Sequence, residues 1–146
     1  MKEFISGVAM LLILCVFLVQ FTFNQVIQNK TILAENDINT FIEEIKKDGY
    51  ISPEAESQLK TALKTDLKLE EDTEIVIEGD KNAAARKVRV LGGATHADYE
   101  NSLIYYHIEY PIKNVIGASK FFGISDEENT AKRIREGKTA SEFVQW

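Results

Sequence analysis

The hydrophobic and polar positions of the chain change their period three times, and each change marks a different kind of element. From Ile5 to Phe23, ISGVAMLLILCVFLVQFTF, there is no charged residue and no alternation. As a helix this stretch spans about 28 Å at 1.5 Å per residue, close to the hydrocarbon thickness of a bilayer. Beyond it Ala34, Ile38, Phe41, Ile42 and Ile45 recur at three- and four-residue spacing, with Glu35, Asn39, Glu43, Glu44, Lys46 and Lys47 between them. That spacing lines one face of an amphipathic helix. Neither glycine nor proline occurs between Val8 and Asp48, so both halves read as one helix of about 60 Å. Asn36, Asp37, Ile38 and Asn39 form its weak point, where a kink or a fresh N-cap is expected.

Ser52-Pro53-Glu54 then signals a second helix running to Asp66 or Leu67, with Ala55, Leu59, Ala62 and Leu63 inward. The period next falls to two. Thr73 to Glu78 and Lys87 to Leu91 read as two strands of a hairpin closed at Gly92-Gly93, followed by a polar connection. Ser102 to Tyr110 is the strongest strand, with Ile104, Tyr106, Ile108 and Tyr110 on one face, and Pro111 is expected to end it or mark a sheet edge. Ile112 to Ile124 is apolar without a clean period. Ser125 and Glu128 predict a capping box opening a helix that stops at Gly137, and Thr139 and Glu142 predict a second box before Phe143, Val144 and Trp146, a tail expected to dock. The implied fold class is α+β: a long N-terminal transmembrane and amphipathic helix packed on a small antiparallel sheet with short additional helices. The expected division is a transmembrane helix and stem over 1–33 and a soluble head over 34–146.

The apolar stretch is expected to be retained. Val19 to Gln25 offers no pair of small residues at the spacing signal peptidase needs. Its twelve Leu, Ile, Val and Phe residues favour insertion by about 4 to 7 kcal/mol. The predicted anchor positions are Ile5, Val8, Leu11, Leu12, Leu14, Phe17, Leu18 and Phe21. Lys2 before the span weakly sets the N-terminus inside and the head outside the cell membrane.

Composition narrows the function classes. With 23 Asp and Glu against 17 Lys and Arg, the net charge is −6, which argues against nucleic acid as a partner. The sole cysteine, Cys15, lies inside the apolar run and acts there as a small hydrophobe. Gly137-Lys138-Thr139 lacks the first glycine of a phosphate loop, since position 132 is lysine. His96 and His107 have no ligand spacing, and the acids at 126–128 lack the alternation of a calcium loop. No catalytic, cofactor-binding or metal-binding residue is therefore assigned, and a non-enzymatic role is expected. The candidate interaction surface is Val115, Ile116, Phe121 and Phe122, whose alternative is to complete the core.

A short N-terminal tail, an apolar helix continuing as an amphipathic one over Ile5 to Ile45, a second helix, an antiparallel sheet and an aromatic C-terminus make an order of parts that resembles bacterial type IV pilin-like proteins, in particular the minor pilins or pseudopilins of Tad-type secretion systems. The resemblance implies a membrane-anchored component of a surface pilus or of a secretion or assembly apparatus. Its partners would be membrane lipid and other pilin-like or assembly-platform proteins. The family's glutamate at the fifth mature position corresponds to Leu12 if processing were at Gly7-Val8, which favours a stem that stays in lipid. The other architecture compatible with these parts is a single-pass protein whose extracytoplasmic domain binds a protein or the cell wall.

Overall fold

The computed structural model describes residues 2–92, 94–116, 119 and 123–144. Its first element is one uninterrupted helix, α1, Lys2–Asp48. The cluster at Asn36 to Asn39 does not break it. Thr40 Oγ1 donates to the Asn36 carbonyl at 3.0 Å, and Thr31 Oγ1 likewise to Ile27 at 3.0 Å, so these polar side chains bond back along the helix instead of capping a new one. Ala34, Ile38, Phe41 and Ile45 are its buried residues, one stripe on the C-terminal half. Gly49 ends it at φ 76°, with its N–H on the Ile45 carbonyl at 2.8 Å.

The second helix, α2, Pro53–Leu67, turns back along α1. Ser52 Oγ accepts the Ala55 N–H at 3.2 Å, Pro53 takes the first helical position, and Lys68 closes the far end in the left-handed region. Ala55, Leu59, Leu63 and Leu67 face α1, and they meet the stripe of α1 in a single core.

That core is completed by a three-stranded antiparallel sheet of order β1-β2-β3, with β1 Val76–Gly79, β2 Leu103–Lys113 and β3 Thr130–Ala140. Ile104, Tyr106, Ile108, Tyr110 and Ile112 of β2 point inward, as the alternation predicts. Further expectations are corrected. Lys87 to Leu91 forms no strand: β1 pairs with β2 in the register Val76↔Glu109, and the 87–91 segment is tied down by Lys87 N–H on Gly49 O and Arg89 N–H on Phe143 O, both at 2.8 Å. The polar connection contains a third helix, α3, His96–Asn101, closed by a Thr95/Asp98 capping box.

Another correction concerns the C-terminal third. The predicted Ser125/Glu128 box forms, with Ser125 N–H on Glu128 Oε2 at 3.0 Å and Glu128 N–H on Ser125 Oγ at 3.2 Å, but it closes a turn, and the chain continues as β3. Gly137 therefore ends no helix. It sits opposite Tyr106, where an added Cβ would lie 2.7 Å from the tyrosine oxygen. Thr139 lies at the end of β3 and opens no helix either.

Pro111 neither ends β2 nor belongs to an edge strand. Tyr105 shares its backbone and Asp80 interactions with the β1 side, so by two-residue alternation the nitrogen of Pro111 points the same way, beyond the last β1 pair at Val76. No neighbouring strand misses its absent N–H. The tail packs on the head as far as Phe143, while Val144 is exposed: Ser141 N–H reaches Ser102 O at 3.0 Å, Glu142 N–H reaches Lys46 O at 2.8 Å, and Arg86 stacks between Tyr50 and Phe143 at 4.7 and 5.1 Å. Trp146 lies outside the described residues.

Candidate functional site

Two regions of the molecule carry features that packing alone does not use: the bare half of α1 and the end of the head nearest to it. Burial divides α1 sharply. No residue of its N-terminal half is buried, and the first buried residue is Ala34. The predicted anchor residues Ile5, Val8, Leu11, Leu12, Leu14, Phe17, Leu18 and Phe21 are all exposed, from 43% at Val8 to 69% at Phe17. Exposed large apolar side chains all round a helix have no stable aqueous solution, and a helix of this length and composition is able to cross a membrane once. Its polar interruptions bond locally. Gln20 Nε2 donates to Asn24 Oδ1 at 3.1 Å and Thr22 Oγ1 to the Leu18 carbonyl at 3.0 Å, which lowers the penalty of placing them at the border of an apolar phase.

The end of the head nearest the apolar half is built by the α2–β1 loop, the C-terminal end of β2 and residues 114–116 and 123–129. A cleft of about 760 Å³ opens there, lined by Lys30, Lys68 and Lys113 and by the acids Glu70, Asp72, Glu74, Asp126 and Glu127. Desolvation first, and the Lys68 charge second, pull the Lys30 ammonium below the ordinary lysine range. Two turns further along α1, desolvation and then the Asp66 charge raise the Asp37 carboxyl, whose Oδ2 is buried without a hydrogen-bond partner. The mixed signs of the cleft suit neither a bare anion nor a bare cation.

Asn129 organises the connection at this end, and sequence reasoning passed over it. It is 1% exposed. Its carbonyl accepts the N–H groups of Asn114 and Val115 at 2.9 and 3.3 Å, while its side chain accepts Ile116 N–H at 2.6 Å and donates to Ile116 O at 3.1 Å. An asparagine amide satisfies a strand-like donor and acceptor pair in this way, a role no pattern in the sequence signals. Of the candidate interaction surface, Val115 is half-buried and Ile116 is exposed; Phe121 and Phe122 lie outside the described residues.

At the opposite end, a cleft of about 320 Å³ is lined by Arg89, Val90, Tyr99, Ser102, Ala140, Ser141 and Glu142. Its serine hydroxyls are committed, Ser102 Oγ to Tyr99 O at 2.7 Å and Ser141 Oγ to Lys87 O at 2.6 Å. His107 faces Glu136 at 3.2 Å on the outer face of the sheet, and His96 lies 3.9 Å from Glu100 on α3. Neither imidazole lies beside a serine or the cysteine in the hydrogen bonds observed. Among the described residues no group of three or more His, Cys, Asp or Glu side chains is gathered as a metal site would require.

No family model, no curated protein and no solved structure matches this chain.

Proposed function

We propose that this chain is a non-enzymatic, membrane-anchored, pilin-like component of a surface pilus or of a secretion or assembly apparatus, held by a single pass with its head outside the cell. The observation that carries the reading is the two-part α1: bare and apolar over Ile5 to Phe23, then built into the head's core from Ala34 to Ile45. Such a stem couples the head rigidly to whatever covers its apolar half. That cover is lipid when the subunit stands alone and neighbouring stems when it is assembled. A free-standing receptor domain has no need of this rigidity, because a flexible linker would serve it equally.

The test is mass spectrometry of the mature chain together with recovery from sheared surface material. The expected result is a chain that keeps Ile5 to Phe23 and co-fractionates with other pilin-like or assembly-platform proteins. Recovery in sheared filaments identifies a subunit. Recovery from membranes alone, without any assembly component, overturns the reading.

A further inference from the structure

The two edges of the sheet carry opposite charge. On β3, Lys132, Arg133, Arg135 and Lys138 stand against Glu136, four positive against one negative, in a chain of net charge −6. The segment leading into and through β1 carries Glu70, Glu71, Asp72, Glu74 and Glu78 and no Lys or Arg. Both are edge strands, since the order is β1-β2-β3. Lys132 and Arg135 have acidic partners within the head, Glu109 and, at 3.9 Å, Glu35, whereas Arg133 and Lys138 pair with no acid among the described residues.

The two edges are also matched in height and in hydrogen-bonding phase. Val76 pairs with Glu109 and Glu109 with Ile134, so Val76 and Ile134 stand level on the outer sheet face, and β1 and β3 both run away from the stem end. Extending that register two residues back from β1 brings Glu74 level with Lys132, which stands opposite Pro111. Ser141 N–H on Ser102 O fixes the even residues of β2 as those bonding to β3, so the main-chain groups of Ile134 point outward. On β1, Val76 bonds inward to β2, which leaves the main-chain groups of Ile75 and Ile77 directed outward. A parallel ladder needs this phase, one residue bonding to the two that flank its opposite number. Ile134 is 60% exposed, and a neighbour's Val76 at the same height would cover it.

We propose that the partner of the β3 edge is the β1 edge of a second copy of this chain, anchored in the same membrane. The inference rests on the assembly reading above and names its head-to-head contact. A common stem and a common bilayer hold neighbouring heads upright at one height, so the basic edge of one meets the acidic edge of the next in parallel register. A two-fold dimer through β3 would set like charges opposite one another. The contact is therefore heterologous and continues from head to head.

The experiment uses full-length chains carrying Cys15→Ala, one population with Glu74→Cys and a second with Lys132→Cys, co-reconstituted in phosphatidylcholine vesicles and oxidised. Within one head these positions stand about two strand spacings apart, too far for a disulfide. The expected product is a cross-link between the two variants, absent when either variant is alone, lost with Arg133→Glu/Arg135→Glu in the Lys132→Cys chain or with Asp72→Lys/Glu78→Lys in the Glu74→Cys chain, and weakened by high salt. A Gln28→Cys chain reports stem contact independently. Stem cross-links without the head cross-link overturn this inference and leave assembly standing; absence of both overturns both. Cross-linking of Lys132→Cys with itself overturns the inference in favour of a two-fold dimer.

Discussion

At the scale of single residues, the head depends on a few positions where no other side chain fits. Gly49 turns the chain from α1 towards α2 at φ 76°, and a Cβ there would lie 2.4 Å from the Lys87 carbonyl oxygen. Both the backbone region and the space exclude alanine. Gly49→Ala should cost about 2 kcal/mol or more, from the left-handed backbone alone before the clash is counted, read as a lower thermal midpoint in detergent-solubilised protein. Asn129→Ala removes two side-chain bonds and leaves the Ile116 N–H and C=O unsatisfied beside a buried site, at about 1 to 3 kcal/mol for each group that water does not reach. An unchanged melting temperature would show that the amide is not what holds this connection. Asp37 works in the other direction. Its carboxyl is raised by desolvation and by Asp66, so the folded state binds its proton more tightly than the unfolded chain does. Its relative contribution is most favourable below the unfolded value near 3.8 and is lost as pH rises through the higher folded value. Asp37→Asn should therefore stabilise the head at pH 7, by about 0.5 to 1 kcal/mol given how much solvent reaches the group, and the gain should vanish in melts below pH 4.

At the scale of elements, the parts legible in the sequence are those whose period is set by burial on one side. The stripe of α1, the α2 helix begun at Ser52-Pro53 and the inward face of β2 bury most of the residues their spacing selects, with Ile42 and Ala62 only partly covered. The Ser52 cap is the simplest to test: Ser52→Ala should cost about 1 kcal/mol in the same melts, because the Ala55 N–H loses its acceptor at a buried position. β3 was hidden for a physical reason. Its inward positions are Ala131, Arg133, Arg135, Gly137 and Thr139, of which the two arginines are exposed and only Thr139 is buried, so the strand alternates without an apolar face. The Ser125/Glu128 box was read correctly as a local bond pattern and wrongly as a helix start, since a cap stabilises a first turn but does not supply a second. Lys87 to Leu91 has the composition of a strand, but β1 pairs with β2, 25 or more residues away, and the 87–91 segment bonds instead to Gly49 and Phe143, partners that local spacing does not encode. Of the candidate interaction surface, only a tendency to be apolar was visible; Asn129, which fixes Val115 and Ile116 in place, carries no sequence signature.

At the scale of the whole molecule, one helix carries two unlike surfaces. From Ala34 to Ile45 it is held by protein, and from Ile5 to Phe23 it has nothing of its own to touch. On the membrane-anchored reading proposed above, the head's stability and the anchor's insertion are separate free energies joined through one helix, and each should be removable without the other. Leu11 and Leu14 lie near the middle of the apolar stretch and are 61% and 58% exposed, so replacing them disturbs no packing within the chain. Each Leu→Arg exchange at the centre of a span shifts insertion by about 3 to 4 kcal/mol, and two together offset the whole of the roughly 4 to 7 kcal/mol that the stretch supplies. Leu11→Arg/Leu14→Arg should accordingly move the protein from the carbonate-resistant membrane pellet to the supernatant while the head keeps the wild-type thermal transition. Retention in the pellet would mean that neighbouring stems or the head hold the chain at the membrane without a span. A lost transition would mean that the bare half of α1 contributes to folding, contrary to the sharp boundary in burial at Ala34.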